Sequence, residues 1–391
     1  MLKQYLKRKR AKDNLMKCFR QGGIFLKYHR NERDYRLFPK IVNVGFEEEY
    51  IVYHFKLLTG INPDVMHKNH FVFRQVFGEN VDIEKEPDDK SVTLKVYKKG
   101  LPSFVTFDFH SLNETMKNYD IPIVMGVDQG NQMNVFDLKK FHHVQITGVT
   151  NTGKSVYLKT ILTSLCLYFP PNELNLYLGD MKRTELTLFK NLLHTKKTVT
   201  NIRDLETMLL ELMQEVDKRY ELMEQYEVSH MDDVNKIIEK SLPYVICMID
   251  EFGLCAESKE VLKLVQDLTS IARAANVYLF LSLQRADSTV ISGIAKNNLG
   301  VKISFKQSSN INARVAGVEG VEELKLSDKG RAIMDVGSSI KKIQTPFITT
   351  EQVKSLIKPY IQSRPTIPEI QEEVNDPLQA DEIFGVVSTD E

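Results

Sequence analysis

Eight consecutive residues have the types and spacing needed to hold a phosphate chain. Gly148, Val149, Thr150, Asn151, Thr152, Gly153, Lys154 and Ser155 fit G-x-x-x-x-G-K-[ST]. The glycines let the backbone curl into a nest of N–H groups, and a helix opening at Lys154 adds its partly positive N-terminus. Lys154 then brings a charge to the β and γ phosphates of ATP, and Ser155 a hydroxyl for Mg²⁺. The pattern follows the apolar run Val144 to Thr147 and precedes a helical segment, the setting this chemistry requires.

A second apolar run, Tyr244 to Ile249, ends in Asp250 and Glu251. A buried strand delivers such residues to its C-terminal edge, where open α/β sheets bind ligands. Asp250 is the expected Mg²⁺ partner, and Glu251 the carboxylate that orients and deprotonates an attacking water. Both together point to hydrolysis. The run Val277 to Leu283 ends in Gln284 and Arg285, so the Gln284 amide is expected beside the same crevice, in reach of a γ-phosphate or the lytic water.

These residues need an alternating scaffold, and the chain supplies one. Strands are expected at 144–147, 174–179, 244–249, 277–283 and 300–305, with helices at 154–168, 202–227 and 257–274. That alternation predicts an α/β fold, a parallel sheet covered by helices on both faces. Ahead of it, β-type runs at 50–53, 91–97 and 104–109 and a helix over 67–77 predict a small α+β domain. Residues 121–138 look like a hairpin turning at 128–131. The expected division is a basic lead-in at 1–36 with a break at Gly22-Gly23, the small domain at 37–118, the motor at 119–350, and an extension at 351–391 with a flexible acidic tail.

Composition narrows the class. With 391 residues, 42% of them hydrophobic, the chain can bury two or three domains. Lys+Arg and Asp+Glu both number 52, so no global field announces a polyanionic partner. The cysteines at 18, 166, 247 and 255 lack the spacing of a zinc site or disulfide framework and read as reduced thiols of a cytosolic protein. No apolar stretch nears the roughly 20 residues of a spanning helix, so the expected location is cytoplasmic, peripheral at a membrane only through partners. Lys3, Lys7, Arg8, Lys9, Arg10 and Lys12 lack the apolar stretch of a secretory signal; they form either a solvated arm or a contact for nucleic-acid or lipid phosphates.

In order, these strand ends resemble the FtsK/SpoIIIE branch of the FtsK–HerA translocases. His143 to Gly148 after the hairpin is similar to the family's "PHLLIAGTTGSGKS", with Thr150-Asn151-Thr152 in place of Thr-Gly-Ser. Leu178 to Lys182 followed by Glu185-Leu186 is similar to "IDPK…EL", Lys218-Arg219-Tyr220 to "ERRYRLM", and Leu242 to Glu251 to "LPYIVVVIDE". Residues 272–277 resemble "ARAAGIHL", and Leu283-Gln284-Arg285 resembles "TQRP" with Ala286 for proline. Residues 290–296 and 303–314 resemble "VITGLIKAN" and "RIAFQVSSKIDSR".

The resemblance implies a RecA-like P-loop motor, assembled as a homo-oligomeric ring, a hexamer, around double-stranded DNA. It further implies an arginine from the neighbouring subunit at the γ-phosphate, for which Arg314 and Arg273 are the candidates, Arg314 preferred. Pore-facing phosphate contacts are expected among Lys296, Asn297, Asn298, Lys302 and Lys306. Neither N-terminal membrane spans nor a C-terminal winged-helix domain is expected within this chain. The compact form resembles coupling ATPases of conjugative mobile elements, whose partners would be a relaxase and a membrane transfer channel. A viral or phage DNA-packaging motor, a type VII secretion ATPase and a non-hydrolysing nucleotide-dependent scaffold are the alternatives.

Overall fold

Runs that are apolar at every position become strands buried on both faces, and they assemble one large sheet. The computed structural model of the chain describes residues 2–30, 33–86, 88, 90–285, 290–337 and 339–362. Its 10-stranded sheet runs in the order Thr195–Val199, Leu174–Asp180, Tyr244–Asp250, Val277–Leu283, Val144–Thr147, Val301–Phe305, Arg331–Asp335, Ile340–Gln344, Pro122–Val127, Met133–Asp137. The first six are mutually parallel and the last four pair antiparallel. All seven residues of Val277–Leu283 are buried, as a central parallel strand requires.

Alternation along each strand feeds two cores. Ile246, Met248, Tyr278 and Phe280 pack on one face with Tyr157, Leu158, Ile161 and Leu165 of the helix Lys154–Tyr168. Cys247, Ile249, Leu279 and Leu281 pack on the other, against the helices Ile202–Gln225 and Lys259–Ile271. In Ile202–Gln225 the buried Leu205, Met208, Leu209, Leu212, Val216, Arg219 and Met223 recur at helical spacing, so this charged helix covers the sheet with one face.

A separate 4-stranded antiparallel sheet, in the order Lys40–Phe46, Tyr50–Lys56, Ser91–Tyr97, Val81–Lys85, forms the small N-terminal domain. The helix Leu2–Gln21 contributes Leu15, Cys18 and Phe19 to its core. The small domain meets the large-sheet domain at Glu323, which lies 3.3 Å from Arg74 and 3.6 Å from His70; the contact with His70 holds the Glu323 carboxyl below its ordinary range.

Several sequence expectations need correction. Phe104 to Phe109 is not a strand: Asp108 accepts from the His110 N–H and caps a helix, Phe109–Met116, leaving only an isolated bridge from Thr106 to Phe347. The helix expected over 67–77 breaks at Asn69 into Val65–Lys68 and His70–Phe77. The second half of the lead-in helix, expected outside the small domain, packs into that domain's core. The segment beyond 350 opens with a helix, Thr350–Ile357, whose Val353 and Ile357 are buried in the large sheet's core behind a Thr349/Gln352 capping box. Prolines 365, 368 and 377 and the acidic tail lie outside the described residues, as does Ala286.

No helix among the described residues is long and apolar enough to cross a membrane.

Candidate nucleotide site

Because the parallel strands share a direction, the ends of Val144–Thr147, Leu174–Asp180, Tyr244–Asp250 and Val277–Leu283 all reach one edge of the sheet. The strand Val277–Leu283 lies between the phosphate-loop strand and the Asp250 strand. Asp180 and Asp250 sit opposite each other in register.

The loop itself is pinned at both ends. The Gly148 N–H donates to the Leu283 carbonyl at 3.2 Å, and the Val149 N–H to that of Lys306 at 3.1 Å. Thr152 closes the turn, its hydroxyl donating to the Val149 carbonyl at 2.7 Å. Asn151 and Gly153 have φ of 65° and 113°, the left-handed geometry that aims successive N–H groups inward. A Cβ at Gly153 would come within 2.8 Å of the Gly330 backbone, so this close approach needs glycine. The Gly330 N–H donates to the Thr152 carbonyl at 2.8 Å, which makes the 328–330 turn the back wall of the cradle.

From the start of its helix, Lys154 reaches across to the intervening strands. Its Nζ lies 2.9 Å from Asp250 Oδ1 and 2.7 Å from Ser282 Oγ, and Ser282 Oγ donates to the same Asp250 oxygen at 2.7 Å. All three residues are buried. Glu251 stands beside them, its Oε2 3.9 Å from Lys154 Nζ and 2.7 Å from Lys182 Nζ. Glu251 has φ 55°, a left-handed geometry uncommon for a non-glycine residue and one that turns its carboxylate at the strand end. Ser155 follows Lys154 in the first turn.

Asp180 reaches the same edge but is spent. Its carboxylate accepts from the backbone N–H groups of Thr184, Glu185, Leu186 and Thr187 at 3.0–3.2 Å, building the turn that presents Lys182. Three participants escaped the reading of residues as site members. Ser282 was legible as the one polar residue in VYLFLSL. Lys182 appeared only within a family segment. Gly330, on a distant turn, left no local signal.

The remaining candidates separate. Gln284 follows directly at the end of its strand, on the site's edge. Arg314 is exposed on the helix Asn310–Ala316, which leaves the same edge after Val301–Phe305. Arg273 is exposed before the start of Val277–Leu283, at the opposite edge, close enough to the buried His143 to help lower its pKa, which burial chiefly pushes down to about 3. Lys296 donates to the Val315 carbonyl at 2.7 Å, and burial lowers its pKa; Asn298 donates to Ser270 at 3.0 Å and Lys306 to the Glu322 carbonyl at 3.3 Å. Three of the five residues expected to face DNA thus have polar groups engaged within the fold.

A buried lysine between a carboxylate and a hydroxyl, at the mouth of a glycine-shaped N–H nest, fits the terminal phosphates of a nucleoside triphosphate. Residues 112–288 match the family described as FtsK/SpoIIIE. That segment of the chain is similar to the family. A DNA translocase FtsK from Staphylococcus epidermidis is 30% identical over 256 residues, covering 61% of this chain and 32% of that protein, so the chain spans about a third of that relative. Among solved structures, the pCW3 conjugation coupling protein TcpA with ATPγS superposes at a TM-score of 0.57 and 19% identity, covering 87% of this chain and 97% of that one. EssC (ATPases 2 and 3) from Geobacillus thermodenitrificans gives 0.58 at 16% identity, over 67% of this chain and 52% of its own. The chain therefore has the fold of these P-loop ATPases, with a large, mostly parallel sheet placing Lys154 beside Asp250.

Proposed function

We propose that the chain is an ATP-driven translocase of double-stranded DNA, working as a homo-oligomeric ring, a hexamer, in the transfer of a conjugative or mobile element. The observation that carries this reading is the convergence of Lys154, Asp250 and Glu251 at one sheet edge within the segment similar to the FtsK/SpoIIIE family. In it the N–H groups of Val149 to Gly153 hold the phosphates, Lys154 exchanges Asp250 for phosphate oxygen, and Glu251 takes the proton of the attacking water. Ser155 and Asp250 are the residues that would hold Mg²⁺, whose chemistry is to neutralise charge on the phosphates. Gln284 couples the site to the rest of the domain. Arg314, on the helix leaving this edge, is better placed than Arg273 to reach a neighbour's nucleotide.

The coupling role draws support from extent: likeness to a conjugation coupling protein runs over 87% of the chain, whereas that to the EssC ATPases covers 67%. A relaxase and a membrane transfer channel are the matching partners, and the location is cytoplasmic, peripheral through them. The deciding experiment is steady-state ATP hydrolysis by the purified chain with and without long duplex DNA. Duplex DNA should stimulate hydrolysis, and Lys154→Ala and Glu251→Gln should each lower the stimulated rate by about 100-fold or more. Hydrolysis indifferent to DNA would sink the motor reading and favour a secretion ATPase.

A further inference from the structure

Between the lead-in helix and the small domain's sheet, Leu26–Arg30 pairs with Arg33–Leu37 as a two-stranded ribbon that joins no other sheet. Lys27, Tyr28 and His29 and all five residues of the second strand are exposed, so none of the described side chains of the ribbon is fully buried. A lone two-stranded hairpin is marginal in water. This one is anchored at its base, where Phe25 packs on Phe38 at 5.4 Å and Arg36 lies over the Phe25 ring at 4.8 Å. Core packing gives no reason for the other side chains.

Their chemistry is of one kind. Lys27 is opposite Arg36, and Arg30 opposite Arg33, while Tyr28 and Tyr35 stack 5.1 Å apart between those pairs, each 41% exposed. The one acid on the strands, Asp34, is engaged by His29 at 2.9 Å. The surroundings reinforce the charge: residues 1–40 hold thirteen Lys and Arg against Asp13, Glu32 and Asp34, in a chain of net charge zero. Lys3, Lys7, Arg8, Lys9 and Arg10 are exposed on the helix that leads into the ribbon.

We infer that this ribbon is a second DNA contact, outside the motor, that lies along a groove of the duplex; the inference rests on the reading of double-stranded DNA as the substrate. The major groove admits a two-stranded ribbon, and five paired residues extend about 17 Å, the rise of about five base pairs. Strand alternation puts Lys27 and Arg36 on one face and Arg33 on the other. A groove surrounds a ribbon with phosphates on both sides and suits that distribution. A bilayer surface instead calls for an apolar face set against a charged one. The tyrosine pair offers flat contact area and hydroxyls to sugars and base edges.

The test uses the full chain and two variants, Lys27→Ala/Arg33→Ala/Arg36→Ala and Tyr28→Ala/Tyr35→Ala, with thermal melts to confirm folding. Binding to a fluorescent 30-base-pair duplex is followed by anisotropy without nucleotide across a salt series. The charge variant should bind at least tenfold more weakly at low salt, its log–log salt dependence shallower by about two to three, with DNA-free ATP hydrolysis unchanged. The tyrosine variant should bind more weakly with the salt slope kept. Unchanged affinity and slope in the charge variant would overturn the proposal. So would ribbon-dependent sedimentation with phosphatidylglycerol vesicles accompanied by intact DNA binding. If duplex DNA fails to stimulate hydrolysis yet binds through the ribbon, the motor reading falls and the ribbon contact stands.

Discussion

Glu251 is held by Lys182 at 2.7 Å while Lys154 is occupied by Asp250 and Ser282. A carboxylate oxygen committed to an ammonium is unavailable to water. In the proposed mechanism phosphate oxygens take over Lys154, and the Lys182–Glu251 contact must also open before water reaches that carboxylate oxygen. Lys182→Met should raise DNA-free turnover by about threefold to tenfold and compress the ratio of DNA-stimulated to DNA-free rates. Single-turnover hydrolysis with and without duplex DNA checks this; a parallel fall of both rates would show instead that Lys182 supports the chemistry.

Among the elements, the long helix Ile202–Gln225 covers the sheet with one face, and Arg219 on that inner face is only 1% exposed. Its guanidinium donates to Glu215 at 2.8 Å and to the carbonyls of Ala275 and Pro243, both at 2.9 Å. Those carbonyls lie just before Val277–Leu283 and Tyr244–Asp250, so one side chain ties together the starts of the two strands that end at the site. Arg219→Ala strands the buried Ala275 carbonyl and the half-buried Pro243 carbonyl and should cost about 3–5 kcal/mol of unfolding free energy, read by urea denaturation. ATP affinity of the folded fraction should stay within about twofold, since the clamp is at the opposite edge. A loss below about 1 kcal/mol would mean that water replaces the guanidinium.

For the whole molecule, one chain places Lys154, Asp250 and Glu251 together but keeps Arg314 exposed on a helix outside this cluster. An arginine supplied across a subunit interface is testable by mixing. Arg314→Ala and Glu251→Gln should each be inactive alone, with nucleotide binding kept. Mixed in equal amounts, they form interfaces that join an intact Glu251 to an intact Arg314, so DNA-stimulated hydrolysis should recover to about a quarter of wild type. No recovery in rings shown to contain both variants would place Arg314 in its own subunit's fold.

The sequence by itself determined the phosphate loop, the acidic strand end and the α/β class, because each rests on local patterns: a glycine-framed loop between strand and helix, and apolar runs buried on both faces. Ser282 was also within reach, as a hydroxyl in an apolar strand. Only the tertiary structure decided which distant groups close the site. Lys182 meets Glu251 because two strands are parallel and in register, and Gly330 presses on Gly153 across a long loop. It also decided that the strand signal at 104–109 yields to the Asp108 cap, and that half of the basic lead-in is core. Such contacts depend on strand order and loop closure, which arise only when the whole sheet assembles and leave no periodicity in any one segment.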